Sequence, residues 1–153
     1  MSTTMPQSTD NLRIRLSQVG EPVIDQPAPV QVDRDIAASD LKIQYSVLIR
    51  ILRPESRVDV VVSMIYLYGQ RRLFSGSLTT SFDIIDLDSY ITAKEGGLEF
   101  RIESDFLPML SSIAFSTTRG YFARELSGSV LAPYPFPMIS MDALQKHTTY
   151  QLF

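Results

Sequence analysis

From Leu41 onward apolar and polar residues alternate. Leu41, Ile43, Tyr45, Val47, Ile49 and Ile51 fall on one side, and Lys42, Gln44, Ser46 and Arg50 on the other. A period of two predicts a half-buried strand. The same pattern appears earlier in Leu12-Arg13-Ile14-Arg15-Leu16, where Pro22, Pro27 and Pro29 then interrupt it. Proline cannot donate to a ladder, so that stretch reads as a loop or irregular edge. After the turn Arg53-Pro54-Glu55-Ser56, the run Arg57 to Tyr68 is apolar at every even position, and Val61, Ile65 and Leu67 make its odd side apolar too. Gly69-Gln70 suits a tight hairpin of the II′ type. The next strand runs from about Arg71 to Ile85, with Phe74, Gly76, Leu78, Phe82 and Ile84 opposite Ser75, Ser77, Thr79, Ser81 and Asp83. The expectation is a meander of about four antiparallel strands. A sheet packed on one side by helices leaves its other side polar. The apolar odd side of the third strand therefore predicts a cover, such as a second subunit.

The second half changes period. Asp86 to Tyr90 resembles a helix start, Lys94-Glu95-Gly96-Gly97 reads as a turn, and Leu98 to Ile102 as a short strand or helix entry. A long helix follows, capped by Ser104 or Asp105, with Pro108 tolerated in its first turn and Gly128 as its stop. Phe106, Leu110, Ile113, Thr117 and Tyr121 recur at helical spacing, widened by Met109, Ala114 and Phe115. Gly120 inside this helix costs ~1 kcal/mol relative to alanine, which suggests close approach of another helix beside Ser116 and Thr117. Pro133, Pro135 and Pro137 then fix an extended path carrying Tyr134, Phe136 and Met138. A short helix capped by Ser140 turns Met141, Leu144 and Gln145 inward. Thr148 to Phe153 lack strong periodicity and read as mobile. The fold class is α+β: a four-stranded antiparallel sheet followed by one long and one short helix. Residues 1–10 read as a flexible N-terminal segment and 11–153 as a single domain.

Composition narrows the function. The chain has 153 residues, 14 Lys+Arg and 17 Asp+Glu, for a formal net charge of -3. That mild acidity disfavours nucleic-acid binding, which calls for a basic stripe. There is no cysteine, so no disulfide framework, thiolate metal site or cysteine nucleophile is available. The only histidine is His147, which leaves no zinc cluster or Ser-His-Asp triad. The start has no apolar signal segment, and no run approaches the ~18 apolar residues of a membrane span. The expected location is cytoplasmic.

Candidate chemistry is sparse. Asp83, Asp86 and Asp88 could form an acidic docking patch or a divalent-metal site, although a solvated loop explains them as well. His147 reads as a surface residue, and Thr117-Thr118-Arg119-Gly120 as a packing feature. No catalytic set converges, so the chain is expected not to be an enzyme, and no cofactor or metal is implied. The aromatic, proline-rich stretch is more informative. It reads either as a crossover closing the core or as one wall of a groove for extended peptides. In the second reading Tyr134, Phe136 and Met138 face Phe74 and Phe82. Methionine and aromatic side chains give large, adaptable contact area.

The order of these features resembles the SecB family of protein-export chaperones. The resemblance rests on Ser116-Thr117-Thr118-Arg119-Gly120 in the long helix, on Leu131-Ala132-Pro133 in the crossover, and on Asp142-Ala143-Leu144 opening the last helix. It covers roughly Leu12 to Leu144, and the strands match in pattern only. It implies an ATP-independent holdase that binds unfolded polypeptides in surface grooves, and a homotetramer built as a dimer of dimers. It also implies delivery of clients to the SecA motor through acidic surface. Val61, Ile65, Ile113, Thr117, Gly120 and Tyr121 are the candidate oligomer interface. This chain is less acidic than that family, and its connection through 86–103 is longer. Related variants serve single clients such as antitoxins of toxin–antitoxin systems, which is the alternative function.

Overall fold

The structure is a computed structural model that describes residues 14–26, 38–94, 97–102 and 106–153. Its elements are β1 (Ile14–Val19), β2 (Val23–Gln26), β3 (Leu41–Leu52), β4 (Arg57–Tyr68), β5 (Arg71–Ile84), β6 (Ile91–Lys94), β7 (Gly97–Ile102), α1 (Phe106–Leu126), α2 (Met141–Lys146) and β8 (Thr148–Leu152). The fold class is α+β.

The three alternating runs form a long meander, β3 against β4 against β5, with Val47, Val62 and Leu78 in one row across it. Gly69 turns the β4–β5 hairpin at φ 60, the left-handed value a type II′ turn requires at its first central residue. Every alternate residue faces one layer. Ile49, Ile51, Val58, Val60, Val62, Met64, Tyr66, Phe74, Leu78, Phe82 and Ile84 are all buried there. Helix α1 packs on this face through Leu107, Leu110, Ala114, Phe115, Phe122 and Leu126.

The sheet is larger than a four-stranded meander. Its order is β1-β5-β4-β3-β8, with β2 also paired to β5. The first strand thus lies at the far edge from β3. Gly20 and Pro22 interrupt it, and the two pieces share the β5 edge, with Gly20 N–H donating to Thr79 O at 2.8 Å. The second addition is β8, which runs parallel to β3. The expectation of a mobile stretch at Thr148–Phe153 is therefore corrected. β-Branched Thr148 and Thr149 and aromatic Tyr150 suit a strand, and the edge of β3 supplies its ladder.

Three smaller differences follow. Asp86–Tyr90 gives one 3-10 turn over Leu87–Tyr90 rather than a helix. The segment after it is an antiparallel pair, β6 with β7, forming its own two-stranded sheet. In α2, Ser140 caps as expected, its Oγ accepting from Ala143 N–H at 3.2 Å. Leu144 alone is buried, however, while Met141 and Gln145 are exposed, because a six-residue helix turns only one position squarely inward. The residues 1–10, Leu12, the proposed caps Ser104 and Asp105, and Glu95-Gly96 of the expected turn lie outside the described residues.

Candidate functional site

The crossover from α1 to α2 lies over one end of the sheet. Turns occupy its first part, where Ala132 N–H donates to Ser129 O and Tyr134 N–H to Leu131 O. Irregular backbone runs from Pro135 to Ser140, so the extended path is shorter than the sequence predicts. With Pro133, Pro135 and Pro137 lacking N–H groups, this strip offers mainly carbonyls. Two donors from the body of the fold take them. Tyr66 Oη donates to Tyr134 O at 2.8 Å, and Arg119 Nε donates to Phe136 O at 2.8 Å. Burial raises the Tyr66 hydroxyl to about 12, an effect the nearby Arg119 charge partly offsets. The hydroxyl therefore stays protonated and remains a donor.

Phe136 fills the gap beneath the strip. Its ring meets Tyr45, Tyr66 and Phe115 edge-on, with centroids 6.0, 6.1 and 5.5 Å away, a favourable geometry for aromatic pairs. Tyr45 extends the cluster to α2, donating to Ala143 O at 3.3 Å. Beyond Phe136 the strip opens outward. Met138 is 86% exposed. It borders a cavity of about 90 Å³ lined also by Ser112, Phe115, Ser116, Arg119, Ile139 and Leu144.

The candidate groove residues are thus divided. Phe74, Phe82 and Phe136 belong to the core, out of a client's reach unless the fold opens. Their alternate positions on strand and crossover put them on the face that α1 covers. Phe74 joins the aromatic cluster through Tyr66 and Phe122. Phe82 sits eight residues further along β5, roughly 27 Å away at strand rise. Tyr134 is half-buried, and Met138 alone of the set stands in solvent.

The candidate interface residues also fall on two surfaces. Val61 and Ile65 lie on the sheet face away from α1, half-buried beside Leu48 and Leu67. Ile113, Thr117, Gly120 and Tyr121 lie on the outward side of α1. Ile113 and Tyr121 are each about two-fifths exposed, as is Met109 on the same side. Nothing lies within 4 Å of the Cβ position on Gly120. The close approach expected of a small residue occurs instead at Gly76, under Phe122.

The three aspartates do not converge. Asp83 pairs with Arg15 at 2.8 Å and Asp88 with Arg53 at 2.9 Å. Asp86 sits in a left-handed turn, its carbonyl accepting from Ser89. Among the described residues no group of three or more His, Asp or Glu could hold a metal ion. Sequence reasoning missed Tyr66 and Arg119 as anchors of the crossover. The available signal was a strip of three prolines, whose carbonyls need donors from elsewhere.

Among the described residues no helix is long and apolar enough to cross a membrane. No protein-family model matches the chain, and no curated protein does. Among solved structures it is similar to the SecB-like chaperone of Mycobacterium tuberculosis in complex with a ChAD peptide from the HigA1 antitoxin. The identity is 12% and the TM-score 0.42, over 85% of this chain and 89% of that one.

Proposed function

We propose that the chain is an ATP-independent holdase that binds unfolded polypeptides through the surface around Met138. The observation that carries this reading is the contrast within the crossover. Phe136 is locked in the core and its carbonyl is pinned by Arg119, while Met138, two residues on, is 86% exposed beside a cavity. A rigid strip presenting a flexible thioether can accept apolar side chains of many shapes at little ordering cost. Ile139 and Phe115, which line the same cavity as Met138, extend the apolar surface. In this reading the protein is a cytoplasmic homotetramer, a dimer of dimers, assembled through the outward side of α1 that bears Ile113 and Tyr121, and it holds clients for export. SecA would be met through Asp83, Asp86 and Asp88.

The test is suppression of aggregation of several unrelated unfolded proteins, by wild type and by Met138→Ala. General holding by wild type, weakened by about 1–2 kcal/mol in the variant as for an interface anchor, supports the reading. Protection of one protein alone points to a dedicated module, such as one serving an antitoxin. Protection of none ends the proposal.

A further inference from the structure

β3 is paired to β4 over its whole length, from Leu41 opposite Tyr68 to Leu52 opposite Arg57. Among the described residues its other edge is paired over Val47 to Ile51, by β8. β8 is held by a backbone ladder, with Leu152 packed against the core. Val47 N–H donates to His147 O at 3.0 Å, Phe153 N–H to Ile51 O at 2.9 Å, and Arg53 N–H to Phe153 O at 3.2 Å. Thr149, Tyr150 and Gln151 are exposed, and Thr148 and Leu152 are half-buried. Thr148 Oγ1 adds a bond to Leu144 O. The segment Thr148 to Phe153 has no charge, no glycine and no proline.

We infer that the edge of β3 over Val47 to Arg53 is a strand-addition site for extended, uncharged polypeptide, and that β8 is its resident, displaceable occupant. A ladder of main-chain bonds reads no sequence, and pockets for alternate side chains supply what selectivity there is. Here Thr148 and Leu152 are half-buried and Tyr150 between them is partly covered, so a segment with modest apolar residues at alternate positions fits this edge. Parallel pairing is slightly weaker per residue than antiparallel, and five residues form a short ladder. The tether keeps β8 at a high effective concentration, so an added chain competes only when β8 lets go. Release exposes the unpaired groups of β3, a ready template for another strand. That a client takes the place of β8 rests on the polypeptide-binding reading above. That the β3 edge accepts an added strand does not.

The test uses the full chain and a fluorescent peptide of the Thr148–Phe153 sequence. Alternation from Phe153 N–H places the Gln151 N–H on the β3 side, so Gln151→Pro removes a ladder bond without touching a buried side chain. In L48C/T149C the new thiols face each other across the register pair Leu48–Thr149, and the chain has no other cysteine. The Gln151→Pro protein should bind the peptide at least about tenfold tighter than wild type, with the tethered competitor weakened. The oxidised double-cysteine protein should not bind it, and reduction should restore the wild-type level. Equal binding by oxidised and reduced forms overturns the assignment, as does a folded Gln151→Pro protein that ignores the peptide. If Gln151→Pro fails to fold, the oxidised-against-reduced comparison decides alone. Client holding by wild type, measured separately, tests the holdase reading and leaves the edge untouched.

Discussion

The Phe122 ring lies over Gly76, its Cζ 3.0 Å from where a Cβ on that glycine would stand. Cε1 of the same ring is 3.2 Å away, and Val23 O from β2 closes the other side at 3.2 Å. A Cβ at this position of β5 would press on the Phe122 ring of α1 and on the Val23 carbonyl of β2. Gly76→Ala should lower stability by about 1–3 kcal/mol, as for overpacking. Adding Phe122→Leu should recover part of that loss. Chemical denaturation of the two variants checks this, and an unchanged midpoint for Gly76→Ala contradicts the packing.

Tyr66 links the alkaline limb of stability to the crossover. Its folded-state value of about 12 lies above the ordinary 10, so the folded state holds the proton more tightly than the unfolded one. The stabilisation is complete below pH 10 and is lost as pH rises from 10 towards 12. The loss attributable to Tyr66 is on the order of 2 kcal/mol. Tyr45 and Tyr150 are raised by burial as well, so the contribution of Tyr66 is read by comparison with Tyr66→Phe. That variant should start about 1 kcal/mol less stable at neutral pH, with the Tyr134 carbonyl deprived of its donor. It should then lose less stability than wild type on alkaline titration. Parallel titration curves for the two proteins would refute the assignment.

Thr80 presents the opposite case. It is fully buried between Val60 and Val19, and its hydroxyl finds no partner among the described residues. An unpaired buried hydroxyl carries a desolvation cost that a methyl group of the same shape does not. Thr80→Val should therefore raise stability, by about 1 kcal/mol, with little change in shape. A lower thermal midpoint in that variant would mean the hydroxyl is satisfied in solution.

The strands of the meander were legible because each carries one strictly alternating face, and Ser140 was legible as a cap because its chemistry is local. The edges were not. Whether Ile14–Val19 pairs with β3 or β5 depends on how a proline-broken segment bends, and no periodicity encodes that. β8 carried only β propensity, since its partner lies about a hundred residues earlier in the chain. The candidate site was half legible. Tyr134, Phe136 and Met138 were identified as a unit, but alternation along irregular backbone could not say which side chain turns inward. The pins on that strip, Tyr66 and Arg119, come from β4 and α1 and meet only in the fold. Helix α1 misled in its own way, because apolar residues occupy both of its sides. Spacing joined Leu110 to Ile113 and Tyr121, whereas the structure buries the first and exposes the other two.

That two-sided helix supports the last prediction. A helix apolar on both sides is ordinarily covered on both, and within one chain the side bearing Ile113, Thr117, Gly120 and Tyr121 has no cover among the described residues. Gly120 separates the single chain from an assembly. Its Cβ position is open, so in an isolated chain Gly120→Leu should stabilise α1 by about 0.5–1 kcal/mol through helix propensity. If a second copy packs across this side, the same leucine collides with it, and symmetry repeats the collision. Light scattering should then give a tetramer for wild type at micromolar concentration and a smaller species for Gly120→Leu. The helical circular dichroism of the variant should be intact. Ile113→Asp should dissociate the assembly by a different route, placing an unpaired charge where the neighbour would be. A wild-type monomer, or a Gly120→Leu tetramer of unchanged stability, would show that this side of α1 is not the interface.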